Sequence, residues 1–453
     1  MAQTAADFFN FPTVDIGVFL KRVQEEFEDD IKAQEEFEAT YDKACEGKSP
    51  NERKALKATI EAQLGKKRIP YPMLMLGKAG IGKTQGMSDL CKRRGWGFKE
   101  MRLVNFTETD LIGIPYKDEH GMTQYATNAL FPSVERGDPK YGIILVDEFT
   151  SAPSNIQVPI LQLTDSSRSI GNYHLPDGWK IVLAGNGPGD GGTFRSLPGT
   201  VISRASCYYV VTSTEAWLNY AMTNGIHRSI RAYIGSMHND YSDRAMSTLH
   251  GYVEDEETGY EKAFPCPRTW EKLSRFLFDL DKRYPNWQLP EVQERIGGGY
   301  VRFLVASCIG TTAADAFLSF IAYEKDIVKA EVICKSATPA ERAKLLKLSN
   351  LDAGAKYLTI CTLADYLHAM SNGKIDIITG TIDKGYLQMY ANALNWIFEG
   401  VANPTNEEAM FAVTDINQRN SHISSSLLTS PLFKELCPTY IELHKHTAQL
   451  LRA

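Results

Sequence analysis

Several things are missing from this chain of 453 residues, and each absence removes a class of function. Its eight cysteines are scattered, with no Cys-x-x-Cys pair and no Cys/His cluster at metal-ligand spacing. They read as reduced, mostly buried thiols of a cytosolic protein, and no zinc site is assigned. No apolar run is long and clean enough to span a bilayer, since the best, over 301–323, is interrupted by Arg302 and Asp315. The opening Met-Ala-Gln-Thr-Ala-Ala-Asp-Phe-Phe has neither the basic nor the apolar region of a secretory leader, so a cytoplasmic protein with no membrane role is expected. Positive charge is in short supply as well. With 49 Lys and Arg against 55 Asp and Glu the net charge is −6, which leaves no electrostatic footprint for nucleic acid beyond a local basic groove. The final stretch, from about residue 327, contains neither an internal repeat, a low-complexity tract nor a nucleic-acid motif.

What remains is the composition of a globular protein, 43% hydrophobic and 23% charged, too long for one ordinary core. Its most informative stretch is Gly77-Lys78-Ala79-Gly80-Ile81-Gly82-Lys83-Thr84, which has the spacing Gly-x-x-x-x-Gly-Lys-[Ser/Thr]. Met73-Leu74-Met75-Leu76 before it reads as a buried strand, and Thr84-Gln85-Gly86-Met87 after it as the first turn of a helix. In that context backbone N–H groups curl around phosphates, Lys83 reaches the β/γ-phosphates, Thr84 offers its hydroxyl to Mg²⁺, and the helix terminus favours negative charge. Residues 77–85 are therefore the expected nucleotide-binding loop.

Upstream, apolar residues at 16, 20, 23, 27, 31, 37 and 41 predict an amphipathic helix. Eight acids against three bases within residues 21–40 read as a solvated helix face rather than a partner-binding arm. A short helix is expected over 53–64, then the basic run 66–68. Downstream, strands are expected over 100–105, 141–148, 180–186 and 207–211, either a hairpin or an irregular surface loop within 106–131, a hairpin over 168–179, and short helices over 159–166 and 197–203. Ile143-Ile144-Leu145-Val146-Asp147-Glu148 is an apolar strand ending in two acids, 64 positions after Lys83. At the carboxyl edge of a parallel sheet Asp147 would hold Mg²⁺ and Glu148 would polarise the attacking water. Asn186 ends the next strand, where an amide can orient a water or touch the γ-phosphate. Alternation of strands and helices predicts a doubly wound parallel sheet. Beyond residue 212 only helices are expected, over 217–222, 226–236, 268–278, 292–296, 300–321, 339–348, 356–370, 387–398 and 432–451.

With these residues in place the chain resembles the AAA+ ATPases, specifically the MoxR-like and dynein-related branch of bacteria and their phages. The resemblance covers about residues 51–325. It implies an α/β P-loop core with a five-stranded parallel sheet between helices, then a helical lid and a C-terminal helical region. The divisions expected are an N-terminal helical extension over 1–50, the core over 51–212, the lid over 213–327 and the C-terminal helices over 328–453. Leu111-Ile112-Gly113-Ile114-Pro115-Tyr116 looks like the branch's insert in helix 2, and 168–179 like its pre-sensor hairpin. The resemblance makes Asn186 the first sensor, Arg268 in Pro267-Arg268-Thr269-Trp270 the second, and Asn105 a polar residue that restrains the catalytic glutamate. Leu197-Pro198-Gly199-Thr200-Val201-Ile202-Ser203-Arg204 is similar to the family's Leu-Pro-x-x-x-Leu-Asp-Arg and puts the arginine finger at Arg204, with Arg195 as the competitor. The family's usual Asp and Phe are replaced by Ser203 and Ala205.

An arginine at the domain's far edge serves a neighbour, so the resemblance implies a homo-oligomeric, hexameric ring using ATP and Mg²⁺ to remodel a partner, with a von Willebrand factor A domain protein as the implied companion. A nucleic-acid motor of the helicase-loader or restriction type is the alternative, with the acidic balance against it. A non-hydrolysing, nucleotide-gated scaffold is the third reading, weakened because every chemical role has a candidate residue.

Overall fold

The computed structural model describes residues 9–49, 52, 53, 56, 59, 69–190, 193–238, 248–251, 263–323, 327–348, 353–375, 381–401 and 407–441. Most of the helix expected over 53–64, the basic run 66–68 and the far end of the helix expected over 432–451 lie outside them. The chain divides into two compact units, residues 1–212 and 213–453.

In the first unit, the runs over 73–76, 142–146 and 179–185 become strands buried on both faces, as the middle of a parallel sheet requires, while the edge strands stay partly exposed. In chain order β1 is Thr13–Asp15, followed by α1 (Ile16–Cys45), β2 (Met73–Leu76), α2 (Lys83–Arg94), β3 (Gly97–Arg102), α3 (Glu108–Ile112), the hairpin β4–β5 (Ile114–Lys117 and Thr123–Ala126) and β6 (Gly142–Asp147). Then come α4 (Ser154–Leu163), the hairpin β7–β8 (Ser169–Ile170 and Tyr173–His174), β9 (Trp179–Gly185), α5 (Gly199–Ile202) and β10 (Ser206–Val211). Six strands form one sheet in the order β1-β10-β2-β9-β6-β3, every pair parallel. Five strands were expected. The sixth, β1, comes from the N-terminal segment and covers the otherwise open edge of β10.

α1 is capped by the Asp15 carboxylate, which accepts from the Gly17 N–H at 2.6 Å. Its Phe19, Val23 and Phe27 bury on one face of the sheet with Met73, Met75, Ile143 and Leu145 and with Met87 and Leu90 of α2. The expectation of a solvated acidic face needs correction. Asp30 and Gln34 are buried, and Lys180, a buried cation on β9, lies 3.5 Å from Glu26 and 4.0 Å from Asp30. Two of the acids thus answer a charge on the sheet beneath. The opposite sheet face packs Leu74, Ile144, Val146 and Leu183 against Ile156, Ile160 and Leu163 of α4. The two hairpins touch through the Asn172 amide, which donates to Gln124.

The second unit is helical: α6 (Thr214–Thr223), α7 (Arg228–His238), α8 (Pro267–Arg283), α9 (Pro290–Gly297), α10 (Tyr300–Ile309), α11 (Thr311–Ile321), α12 (Ala330–Lys335), α13 (Pro339–Leu348), α14 (Ala353–Met370), α15 (Lys384–Trp396), α16 (Glu407–Arg419), α17 (Ser421–Thr429) and α18 (Pro431–Leu436). The helical character expected over 300–321 is divided into α10 and α11 at Gly310, which takes φ +82° and where a Cβ would stand 2.3 Å from the Ala263 carbonyl. Helices α12, α16 and α17 were not anticipated. Arg231 of α7, fully buried, bonds Asp365 of α14 and Asp415 of α16, each at 3.0 Å, so helices on either side of residue 327 share one interior. Among the described residues no helix is long and apolar enough to cross a membrane, and no group of three or more His, Cys, Asp or Glu could hold a metal ion.

Candidate functional site

The sheet order makes β2 a switch point: the chain leaves its carboxyl end through α2, and its neighbours β10 and β9 come much later in sequence. Ligands in open α/β sheets bind at such a crevice. Gly77 follows β2 immediately, and a Cβ there would stand 2.2 Å from the Val210 carbonyl of β10, so only glycine lets the loop start this close to the sheet. Gly82 closes the loop with φ +93° as the cap of α2.

Lys83, buried at the first position of α2, donates to the carbonyls of Gly77 (2.5 Å) and Lys78 (3.1 Å) and to Oδ1 of Asn186 (3.1 Å). Asn186 directly follows β9, the strand lying between β2 and β6. Next to Lys83, the Thr84 hydroxyl donates to Oδ2 of Asp147 at 2.7 Å, and Oδ1 of Asp147 accepts the Glu148 N–H at 2.9 Å. Glu148 leaves β6 with φ +57°, which turns the chain sharply into a 3₁₀ turn, Phe149–Ser151, and leaves its side chain exposed. Carboxyl ends of three adjacent strands thus bring the loop lysine into contact with an asparagine and the loop threonine into contact with an aspartate, with an exposed glutamate one residue away. Gln85 points along α2 to Asp89 (2.9 Å).

Three further predicted residues of the first unit are not in this cluster. Asn105 ends a 3₁₀ turn, Leu103–Asn105, that follows β3, and is exposed. Arg195 is exposed on the loop after Asn186, its N–H bonded to the Thr150 carbonyl at 2.9 Å. Arg204 precedes the amino end of β10, on the opposite edge of the sheet from Lys83, and its guanidinium donates to the Leu161 carbonyl at the end of α4 (3.1 Å). Arg268 is the exposed second residue of α8 in the second unit.

Four residues around the cluster escaped sequence reasoning. Thr150 is fully buried and donates to the Asn186 carbonyl at 2.8 Å. Gln157 of α4 is also fully buried, and with Asn155 and Gln162 on the same helix its amide carried no distinguishing signal in the sequence. Asp190, buried, accepts from the Gly187 N–H (2.8 Å) and the Tyr209 hydroxyl (2.5 Å), fixing the turn after Asn186. Burial and this carboxylate push the Tyr209 phenol well up, so it stays a donor. Arg102 stands opposite Asp147 in the β3–β6 register; Glu100 at 2.8 Å chiefly, then Asp147 and Glu148, hold its charge.

The donor set suits a nucleoside triphosphate. A glycine-lined loop offers N–H groups, a buried ammonium heads the helix behind it, and a hydroxyl and a carboxylate lie side by side as hard oxygen ligands for Mg²⁺. Strand order and site together define a P-loop nucleoside triphosphatase. Residues 72–186 match the AAA domain of the dynein-related subfamily, so the chain carries an ATP-binding AAA ATPase domain over that stretch. Similar solved structures include a provisionally assigned ATPase from Cytophaga hutchinsonii, 14% identical over 93% of this chain and 97% of that one, with a TM-score of 0.25. Another is a substituted RuvB from Thermotoga maritima, 13% identical over 66% of this chain and 80% of that one, with a TM-score of 0.28. None of the curated proteins matches.

Proposed function

We propose that the chain is a Mg²⁺-dependent ATPase of the MoxR-like type that assembles as a hexameric ring in the cytoplasm and remodels a partner protein or complex, one carrying a von Willebrand factor A domain being the companion expected. The observation that carries the chemistry is the contact set Lys83–Asn186 and Thr84–Asp147, which joins three strand ends at one point. In this reading the loop N–H groups and Lys83 bind the phosphates, and Asn186, already against Lys83, orients the γ-phosphate and the attacking water. Glu148 accepts the proton of that water as its oxygen attacks phosphorus and the β–γ bridging bond breaks to release ADP and phosphate. Mg²⁺ would be held by Thr84 and Asp147 and would neutralise charge on the phosphate oxygens. Asn105 restrains Glu148 between turnovers, and Arg268 reports on the nucleotide from the lid.

Support for assembly comes from Arg204. It sits across the sheet from its own loop and is exposed, a placement that suits a group lent to a neighbour. The test is steady-state hydrolysis with nucleotide binding and particle size measured in parallel. Lys83→Ala should lose binding and turnover, while Glu148→Gln should keep binding and lose turnover. Wild-type turnover in either variant would sink the reading.

A further inference from the structure

A buried polar junction lies between the hydrolytic cluster and the segment that carries Arg195 and Arg204. The Thr150 hydroxyl donates to the Asn186 carbonyl at 2.8 Å, and the Thr150 carbonyl accepts from the N–H groups of Arg195 (2.9 Å) and Ser196 (3.4 Å). The hydroxyl has room only because residue 185 is glycine; a Cβ there would come within 2.4 Å of Oγ1. From α4, the Gln157 amide donates to the carbonyls of Phe149 (2.8 Å), Ala152 (3.2 Å) and Ser196 (3.3 Å) and accepts from the Ser196 hydroxyl (3.2 Å). One turn further along α4, the Leu161 carbonyl holds the Arg204 guanidinium. The two buried side chains therefore bond the turn that follows Glu148, the Asn186 backbone and Ser196, the Thr150 carbonyl adds the N–H of Arg195, and α4 grips both ends of the 196–204 segment.

Resting on the reading above, in which Glu148 and Arg204 act in different sites, we propose that Thr150 and Gln157 are positioning residues that set the finger segment according to the state of the subunit's own nucleotide site. The Asn186 side chain contacts Lys83 and its carbonyl is tied to Thr150, so a shift of lysine and asparagine onto a phosphate moves the junction. The Thr150 carbonyl and Gln157 then carry that shift to residues 195–204. Neither residue touches substrate. Their buried hydrogen bonds are fixed in one arrangement, because breaking one strands a carbonyl out of water.

The deciding experiment separates finger positioning from chemistry in the same subunit. Glu148→Gln subunits, which can lend a finger but not hydrolyse, are mixed with Arg204→Ala subunits, which can hydrolyse but lend none. The mixture is then repeated with Thr150→Val added to the Glu148→Gln chain only. Every active site is then unaltered except for the finger it receives, and turnover should fall roughly tenfold or more, the scale expected when a reacting group is misplaced by a fraction of an ångström to an ångström. KM for ATP should be unchanged, and Thr150→Ser in place of Val should restore activity. Equal turnover in the two mixtures overturns the proposal while leaving the ATPase reading intact. An inactive first mixture overturns both the shared-finger reading and this one. If Thr150→Val does not fold, Ser196→Ala, which removes only the 3.2 Å bond to Gln157, takes its place in the same mixture, with a smaller loss of the same sign expected and equal turnover again refuting.

Discussion

If Arg204 is the arginine finger proposed above, one copy of this chain does not hold a complete site. Ser206 stands opposite Met73 at the amino end of β2, while the phosphate loop begins after Leu76 at the other end. Four residues of strand at about 3.3 Å each separate the two levels by about 13 Å, and the guanidinium is already held by Leu161 on its own side. It cannot serve its own phosphates without dismantling β10. If a neighbour's site receives it, Arg204→Ala should lower kcat by about three to five orders of magnitude, or about 4–7 kcal/mol of transition-state stabilisation. A sharper number comes from mixing. In an equimolar mixture of Arg204→Ala and Glu148→Gln subunits, a site works when its own chain has Glu148 and the lending chain has Arg204, each met about half the time. About one quarter of wild-type turnover per subunit should therefore return from two nearly inactive parents, provided each interface runs head to tail. The assay is phosphate release with light scattering, so that loss of assembly is not mistaken for loss of chemistry. A mixture no faster than the sum of its parents would refute the argument. Arg195, whose backbone is tied to Thr150 close to its own cluster, should show no such rescue when it is the residue replaced.

Gly77→Ala should weaken binding of a fluorescent ATP analogue by roughly a hundredfold, because its Cβ would press on the Val210 backbone at 2.2 Å, and either β10 or the loop must move by an amount that phosphate contacts do not tolerate. Wild-type affinity would show that the loop start is softer than its packing indicates. Lys180→Ala removes the cation from a buried group that includes Asp30. Taking the cation away from that buried carboxylate should cost up to about 3–5 kcal/mol, seen as a lower urea midpoint of the first unit, and a loss under about 1 kcal/mol would mean that Asp30 does not depend on Lys180.

How much of this was legible depended on whether the signal was local. The loop at 77–84 is a fixed spacing, Asp147 and Glu148 end a run of four apolar residues, and Asn186 ends another; each is visible in a few consecutive positions, and the structure brings their strand ends together. β1 is only three residues long, half exposed, and exists because β10 offers an unpaired edge almost two hundred positions away. Lys180 would read as an interruption of a buried strand, and only the helix laid over it explains why Asp30 and Gln34 point inward. Thr150 and Gln157 carry no spacing rule at all. Their importance comes from carbonyls that would otherwise be buried without donors, and those carbonyls belong to segments that meet only once the sheet is assembled.

β1 also bears on assembly. Without it β10, the strand that follows Arg204 and presses on Gly77, would present an open row of donors and acceptors, the part of a sheet most prone to pair with another chain. Such pairing would extend the sheet strand by strand and turn the neighbour's loop away from any group on the amino edge. Three residues, Thr13, Val14 and Asp15, close that route by taking the β10 hydrogen bonds themselves, and Asp15 then caps a helix of 30 residues that runs back over the sheet. The segment that was expected as an extension therefore does two things for the site. It holds α2 down, with Leu20 against Gly86, and it leaves subunits free to meet through side chains, the contact an exposed arginine needs if it is to reach a phosphate that is not its own.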